Sequence, residues 1–326
     1  MGGFDLLTPD LVLGAVSQSF DLELDSTLTP YPSYINRVYG LRAAEGKELV
    51  VKFYRPGRWT DEAILDEHAF LSDCREAELP VVAPLADADG DTLFAVDALD
   101  DEGEESEFLF ALFPKRGGRI FDAESDDAWL RLGRLMGRLH AVGARDGAEE
   151  RIRLHPAETT RRQAEELSRL AHPDCRGEFE ELTLEALERI LPLFDGIPMQ
   201  RIHGDSHRGN ILDRGDEGLL LIDFDDMAVG PAVQDLWLLL PGRREECGRE
   251  LGLLIEGYEE FRPAPYETFS LIEPLRFMRM IHFMAWCGRQ RQDAGFRTHF
   301  PDWGSRAYWI TEVEDLRQQL TFIDRV

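Results

Sequence analysis

One stretch constrains this chain more than any other: His203-Gly204-Asp205-Ser206-His207-Arg208-Gly209-Asn210, answered by Ile222-Asp223-Phe224-Asp225. Two short apolar runs, Gly209–Leu212 and Gly218–Asp223, flank the polar turn Asp213-Arg214-Gly215-Asp216-Glu217, which predicts a β-hairpin. Antiparallel pairing sets residues that are distant in sequence side by side. Asn210 and Asp223 therefore converge across the ribbon, next to the loop that carries Asp205. Asp213, Asp216 and Glu217 are read as solvated turn residues.

A loop carboxylate can accept a hydrogen bond from an attacking hydroxyl. An amide and a carboxylate converging from opposite sides can share a hard divalent cation. Phosphoryl transfer asks for this combination, because its transition state needs positioning and charge neutralisation more than covalent chemistry. The offset H-x-D-x-x-x-x-N, with D-F-D following the hairpin, is specific as a composite; each piece alone is common.

The remaining chain changes character part-way. Strand-like runs at Ser33–Leu41, Glu48–Tyr54, Thr92–Asp97 and Glu107–Phe113 surround one helical stretch, Thr60–Glu76, with Thr60 or Asp61 as its N-cap. After Pro114-Lys115-Arg116-Gly117-Gly118 the pattern turns helical. Trp129, Leu132, Leu135, Met136 and Leu139 recur at helical spacing in Asp126–Val142, and further helices are predicted near 157–171, 179–191, 234–240, 245–261, 266–294 and 305–322. The expected fold is α+β and bilobal: a small antiparallel sheet lobe over residues 1–114, and a larger helical lobe over 115–326 that carries the hairpin. A length of 326 residues suits two lobes.

Composition excludes several partners. A formal net charge of −27 argues against nucleic acid or an anionic membrane, which need clustered Lys and Arg. No apolar run approaches a membrane span, and Met1-Gly2-Gly3-Phe4-Asp5 lacks a basic region followed by an apolar one. The expected address is the cytoplasm and the expected state a monomer. Cys74, Cys175, Cys247 and Cys287 are far apart without a C-x-x-C pair, and read as reduced thiols. Lysine occurs only at Lys47, Lys52 and Lys115, against 33 arginines, so a retained lysine marks a place where arginine did not suffice.

The H-G-D-x-H-x-G-N and I-D-F-D-D strings resemble the protein-kinase-like superfamily, in the branch that contains aminoglycoside and choline-type phosphotransferases. With Ser33-Tyr34-Ile35-Asn36-Arg37-Val38-Tyr39, Phe113-Pro114, Gly117-Gly118-Arg119, Glu273-Pro274-Leu275-Arg276 and the aromatic stretch Trp303–Trp309, the chain resembles more closely the bacterial stress response kinase A family of serine/threonine protein kinases. The resemblance covers essentially the whole chain. It implies ATP and Mg²⁺ as cofactors and a protein hydroxyl as acceptor. It also implies Asp205 as catalytic base, Asn210 and Asp223 as metal ligands, and Lys52 as the lysine that holds the α/β-phosphates. The usual partner of that lysine is a glutamate on the following helix. Glu67, which shares a face with Ile64 and Leu71, is favoured over Asp66. Ser33 falls at a phosphate-contacting loop, and adenine is expected against the backbone near Phe113–Lys115. His203 is expected to pack beneath the loop and orient Asp205, His140 to be a satisfied core residue, and Asp235 to anchor the loop through backbone N–H groups.

Two departures bear on the acceptor. Gly204 stands where many protein kinases have arginine, and the segment from Asp223 to Asp235 is short and lacks A-P-E. Both features are shared with small-molecule kinases. A kinase of an aminoglycoside, choline-like or homoserine-like alcohol therefore remains an alternative, as does a nucleotide-binding scaffold without catalysis.

Overall fold

The structure is a computed structural model and describes residues 4–33, 35–99, 103–293 and 295–323. Met1–Gly3, Tyr34 of the Ser33–Tyr39 motif and Ala294, at the end of the 266–294 prediction, lie outside the described residues.

The chain opens with helix α1 (Pro9–Phe20), where the Thr8 side chain accepts from the Leu11 N–H and a proline occupies the first turn. There follow β1 (Leu24–Tyr31), β2 (Arg37–Ala43), β3 (Glu48–Phe53), α2 (Asp61–Glu76), β4 (Phe94–Leu99) and β5 (Glu105–Pro114). The strands make one antiparallel sheet in the order β1-β2-β3-β5-β4. Apolar periodicity anticipates neither α1 nor β1. It places the start of β2 at Ser33, whereas pairing begins at Arg37.

Alternation along β3 decides where the site lies. Leu49, Val51 and Phe53 join Phe108, Phe110 and Leu112 of β5 in a core that also takes Val12 and Val16 of α1. Lys52 therefore points to the opposite face. There it meets α2, whose Ile64 packs with Tyr54 and Ala111. Lys52 pairs in register with Ala111, a small neighbour that leaves room for the long side chain.

Beyond β5 come β6 (Arg119–Ile120), α3 (Asp126–Gly143), a π-turn at Pro156–Thr160, α4 (Arg161–Leu170), α5 (Pro173–Ile190), β7 (Gln200–Ile202), β8 (Ile211–Asp213), β9 (Leu219–Leu221), β10 (Ala228–Gly230), α6 (Val233–Trp237), α7 (Gly248–Glu259), α8 (Ile272–Gln290), α9 (Phe296–His299) and α10 (Arg306–Ile323). The expected hairpin is β8–β9, with β6 added on the outer side of β8. The predicted 266–294 helix is broken at Leu271, where a 3₁₀ turn over Tyr266–Leu271 hands over to α8. Helices α3 and α7 approach so closely that a Cβ on Gly133 would stand 2.0 Å from the Leu254 carbonyl oxygen. Trp309 is fully buried against Phe179, in keeping with a packing role for the late aromatic stretch.

Candidate active site

The loop after β7 is fastened from below. Asp235, wholly buried on α6, accepts from the backbone N–H groups of His203 (2.8 Å) and Gly204 (2.9 Å). His140 of α3 lies 3.1 Å from Asp235 and 3.0 Å from the Tyr258 hydroxyl. Burial alone would raise the Asp235 carboxyl, but hydrogen bonds from His140 and the His203 backbone hold it below the usual carboxylate range. His203 is also fully buried: its Nε2 donates to the Ile222 carbonyl (3.0 Å), leaving Nδ1 to accept from the Asp205 N–H (3.3 Å). The imidazole thus ties the Asp205 loop to the strand leading to Asp223.

Gly204 has φ +82°, and a Cβ there would lie 2.1 Å from the Asp226 carbonyl oxygen. Arginine cannot occupy such a position without moving the backbone. The glycine that separates this loop from the H-R-D pattern is thus a requirement of the local path.

Across the hairpin, the Ile222 N–H donates to the Asn210 carbonyl (3.0 Å), which puts Asp223 next to Asn210 as the sequence implied. The Asn210 side-chain nitrogen donates to the Asp205 carbonyl (2.9 Å), so its Oδ1 remains as an acceptor. Asp223 is in the left-handed region at φ +62°, an uncommon conformation for a residue with a Cβ. Its carboxyl is exposed to the cleft and has neither a hydrogen bond nor an ion pair among the described residues. Crowding by protein raises it above the ordinary value, Lys52 opposes the rise, and Asp225 and Asp226 reinforce it. No three His, Cys, Asp or Glu side chains among the described residues are grouped to hold a metal alone. A carboxylate without a hydrogen bond, and an amide oxygen left open on the facing strand of the hairpin, nevertheless fit Mg²⁺, which takes few protein ligands and completes its octahedron with water and phosphate.

Lys52 is buried between two acids. Its Nζ lies 2.8 Å from Asp225 and 3.7 Å from Glu67, over the ring of Tyr54. Burial works against its charge, but Asp225 and then Glu67 hold the ammonium well above its ordinary value. Glu67, pushed up by burial, is shared with Arg151 at 3.3 Å. Asp66 points elsewhere and accepts from the Glu150 N–H at 2.9 Å. Asp225 also takes Arg58 (3.1 Å) and the Asn36 amide (3.2 Å); burial would raise its carboxyl, but Lys52 and then Arg58 hold it well below the carboxylate range.

Ser33 lines a cleft of about 370 Å³ together with Asp205, Asp223, Asp225, Arg58 and Arg279. Phe113 and Lys115 lie outside that lining. Phe113 packs edge-on to His68, and Lys115 pairs at the surface with Glu48 at 2.8 Å. Sequence reasoning gave no role to Asn36, Arg58, Arg151, Asp225 or Arg279. Asn36 and Asp225 were within the quoted strings. The three arginines carried no local signal, because their hydrogen-bond partners at the site lie between 73 and 168 residues away.

The geometry can be set beside known proteins. A family model described as the phosphotransferase enzyme family matches residues 27–269. The chain belongs to the phosphotransferase enzyme family. Stress response kinase A of Escherichia coli K12 is 38% identical to this phosphotransferase over 325 residues, covering 99% of the chain and 93% of the relative. A protein of Salmonella typhimurium LT2 named serine/threonine protein kinase RdoA is 37% identical with the same coverage. Among solved structures, amicoumacin kinase hAmiN in complex with AMP-PNP, Ca²⁺ and Ami superimposes with a TM-score of 0.72 at 17% identity, covering 94% of this phosphotransferase and 93% of that chain. The fold is therefore that of the kinase-like phosphotransferases, α+β as expected.

Proposed function

We propose that this phosphotransferase is a Mg²⁺- and ATP-dependent serine/threonine protein kinase of the stress response type. Likeness along 99% of the chain to relatives that bear that name supports this reading. Lys52, kept charged by Asp225 and Glu67, would engage the α/β-phosphates, with Ser33 at the mouth of the cleft. Asn210 and Asp223 would hold Mg²⁺, which when bound offsets charge on the phosphate oxygens. Asp205 would orient the acceptor hydroxyl in line with the γ-phosphate; in a loose transition state its role is chiefly positioning.

A second reading, transfer to a small alcohol, draws on the stretch between Asp223 and α6. That stretch is short and mostly buried, and β10 pairs it to β7, which leaves little platform for a peptide. Labelled ATP offered separately to a cell-lysate proteome and to a panel of small alcohols decides between the two. Label in protein bands that disappears when Mg²⁺ is chelated is the expected result. Label confined to the alcohols would replace the protein acceptor, and nucleotide binding without any transfer would leave only a scaffold.

A further inference from the structure

Four backbone groups at Asp205 are anchored: its N–H by His203, its carbonyl by Asn210, and the two preceding N–H groups by Asp235. None of these bonds fixes the side-chain torsions, which decide where the carboxylate points. One strong contact does. Arg279 of α8 donates to Asp205 Oδ1 at 2.5 Å, while His207 Nε2 stands 3.5 Å from Oδ2, beyond a good hydrogen bond.

We propose that Arg279 is a positioning residue for phosphoryl transfer: it clamps one oxygen of Asp205 so that the other faces the acceptor hydroxyl. This rests on the kinase reading above. Arg279 sits where such a clamp has to sit. With His282, Phe283 and Trp286 at helical spacing, it presents one face of α8 to the cleft that also holds Asp205 and Asp223. His282 is itself bonded to Gln163 of α4 at 3.0 Å, so the helix face is fixed next to the arginine. The chain thus holds its candidate base between two rigid supports: α6 fixes the backbone and α8 the carboxylate. A guanidinium suits the second task because it stays charged and directs its donors in a plane. The position before Asp205 could not supply that cation, because it is closed to any side chain.

Arg279→Ala should lower kcat about 100-fold, the scale expected when a reacting group is misplaced by about 1 Å. The KM for ATP should stay unchanged, Arg279→Lys should retain more activity than Arg279→Ala, and millimolar guanidinium should restore part of the lost rate. In an Asp205→Ala background the same substitution should cost nothing further. An unchanged or increased kcat would overturn the proposal, the increase meaning that Arg279 obstructs the base. A loss that guanidinium does not rescue, and that travels with a raised KM for ATP, would reduce Arg279 to a structural contact. Should the wild type transfer phosphate to no acceptor, the kinase reading fails by itself. The Arg279–Asp205 pair would then be judged by a double-mutant cycle on denaturation midpoints, where zero coupling refutes the clamp.

Discussion

Lys52 stands nearer to Asp225, at 2.8 Å, than to Glu67, at 3.7 Å. The lysine of the sheet is thereby tied to the segment that follows the hairpin, and Arg58 and Asn36 converge on the same carboxylate. Removing that charge leaves buried Lys52 with Glu67 alone, at 3.7 Å, and Arg58 with Asp226 alone. Asp225→Asn should lower the unfolding free energy by about 3–5 kcal/mol, the usual cost of breaking one side of a buried pair. Urea denaturation reads this directly, and an unchanged midpoint would refute it.

Glu67 and Asp66 are neighbours in sequence but not in consequence. Glu67→Ala would remove the carboxylate paired with Arg151, a buried guanidinium whose Nε and Nη1 have no hydrogen-bond partner among the described residues. A loss of about 3–5 kcal/mol is expected, together with weaker nucleotide binding through Lys52. Asp66→Ala removes one exposed acceptor and should cost no more than about 1 kcal/mol. Equal effects from the two substitutions would contradict the geometry.

Asp205→Ala should reduce turnover by about 10²–10⁴-fold, the range for a positioned acid–base group. The nucleotide Kd should change little, because Lys52, Asn210 and Asp223 are untouched. Single-turnover transfer and equilibrium nucleotide binding, measured on the same preparation, separate the two quantities.

Gly204→Ala tests the backbone path. With φ +82° and the Asp226 carbonyl in the way, the methyl group adds left-handed strain to a collision. At least about 2 kcal/mol of destabilisation is expected, accompanied by displacement of Asp205 and loss of activity. Should the alanine variant remain as stable and active as the parent, the loop does not follow this course.

Burial depresses His282 from 6.5 to about 4, with Asp226 opposing and Arg279 adding to the fall. Between those values the unfolded chain binds a proton that the folded chain refuses, so this group favours folding above pH 6.5 and loses that contribution as pH falls towards about 4. The stability difference between wild type and His282→Gln should therefore slope by about 1.4 kcal/mol per pH unit within the window and flatten above it. A pH-independent difference would show that His282 is not held neutral.

The part of the site that was legible in the sequence is the part built locally. His203, Asp205, Asn210 and Asp223 lie on one loop and one tight ribbon, so spacing alone implied their convergence. Lys52 was legible from the resemblance and from the scarcity of lysine, and Glu67 because helical spacing gave it a face shared with Ile64 and Leu71. The missed elements had weaker patterns. β1 lies at the sheet edge, half exposed and interrupted by Pro30, and such strands lack apolar alternation. The start of α1 does carry a signal, Thr8 followed by Pro9, a cap and a first-turn proline. Arg58, Arg151 and Arg279 were beyond reach, since an arginine reveals its partner only once distant segments are in place.

The stretch from Asp223 to Asp235 is pinned at its middle by pairing with β7 and at its far end by the loop it supports. Such a segment has little slack of its own. A mark placed on this segment would have to break the pairing with β7 or the Asp235 anchors before it could move the loop.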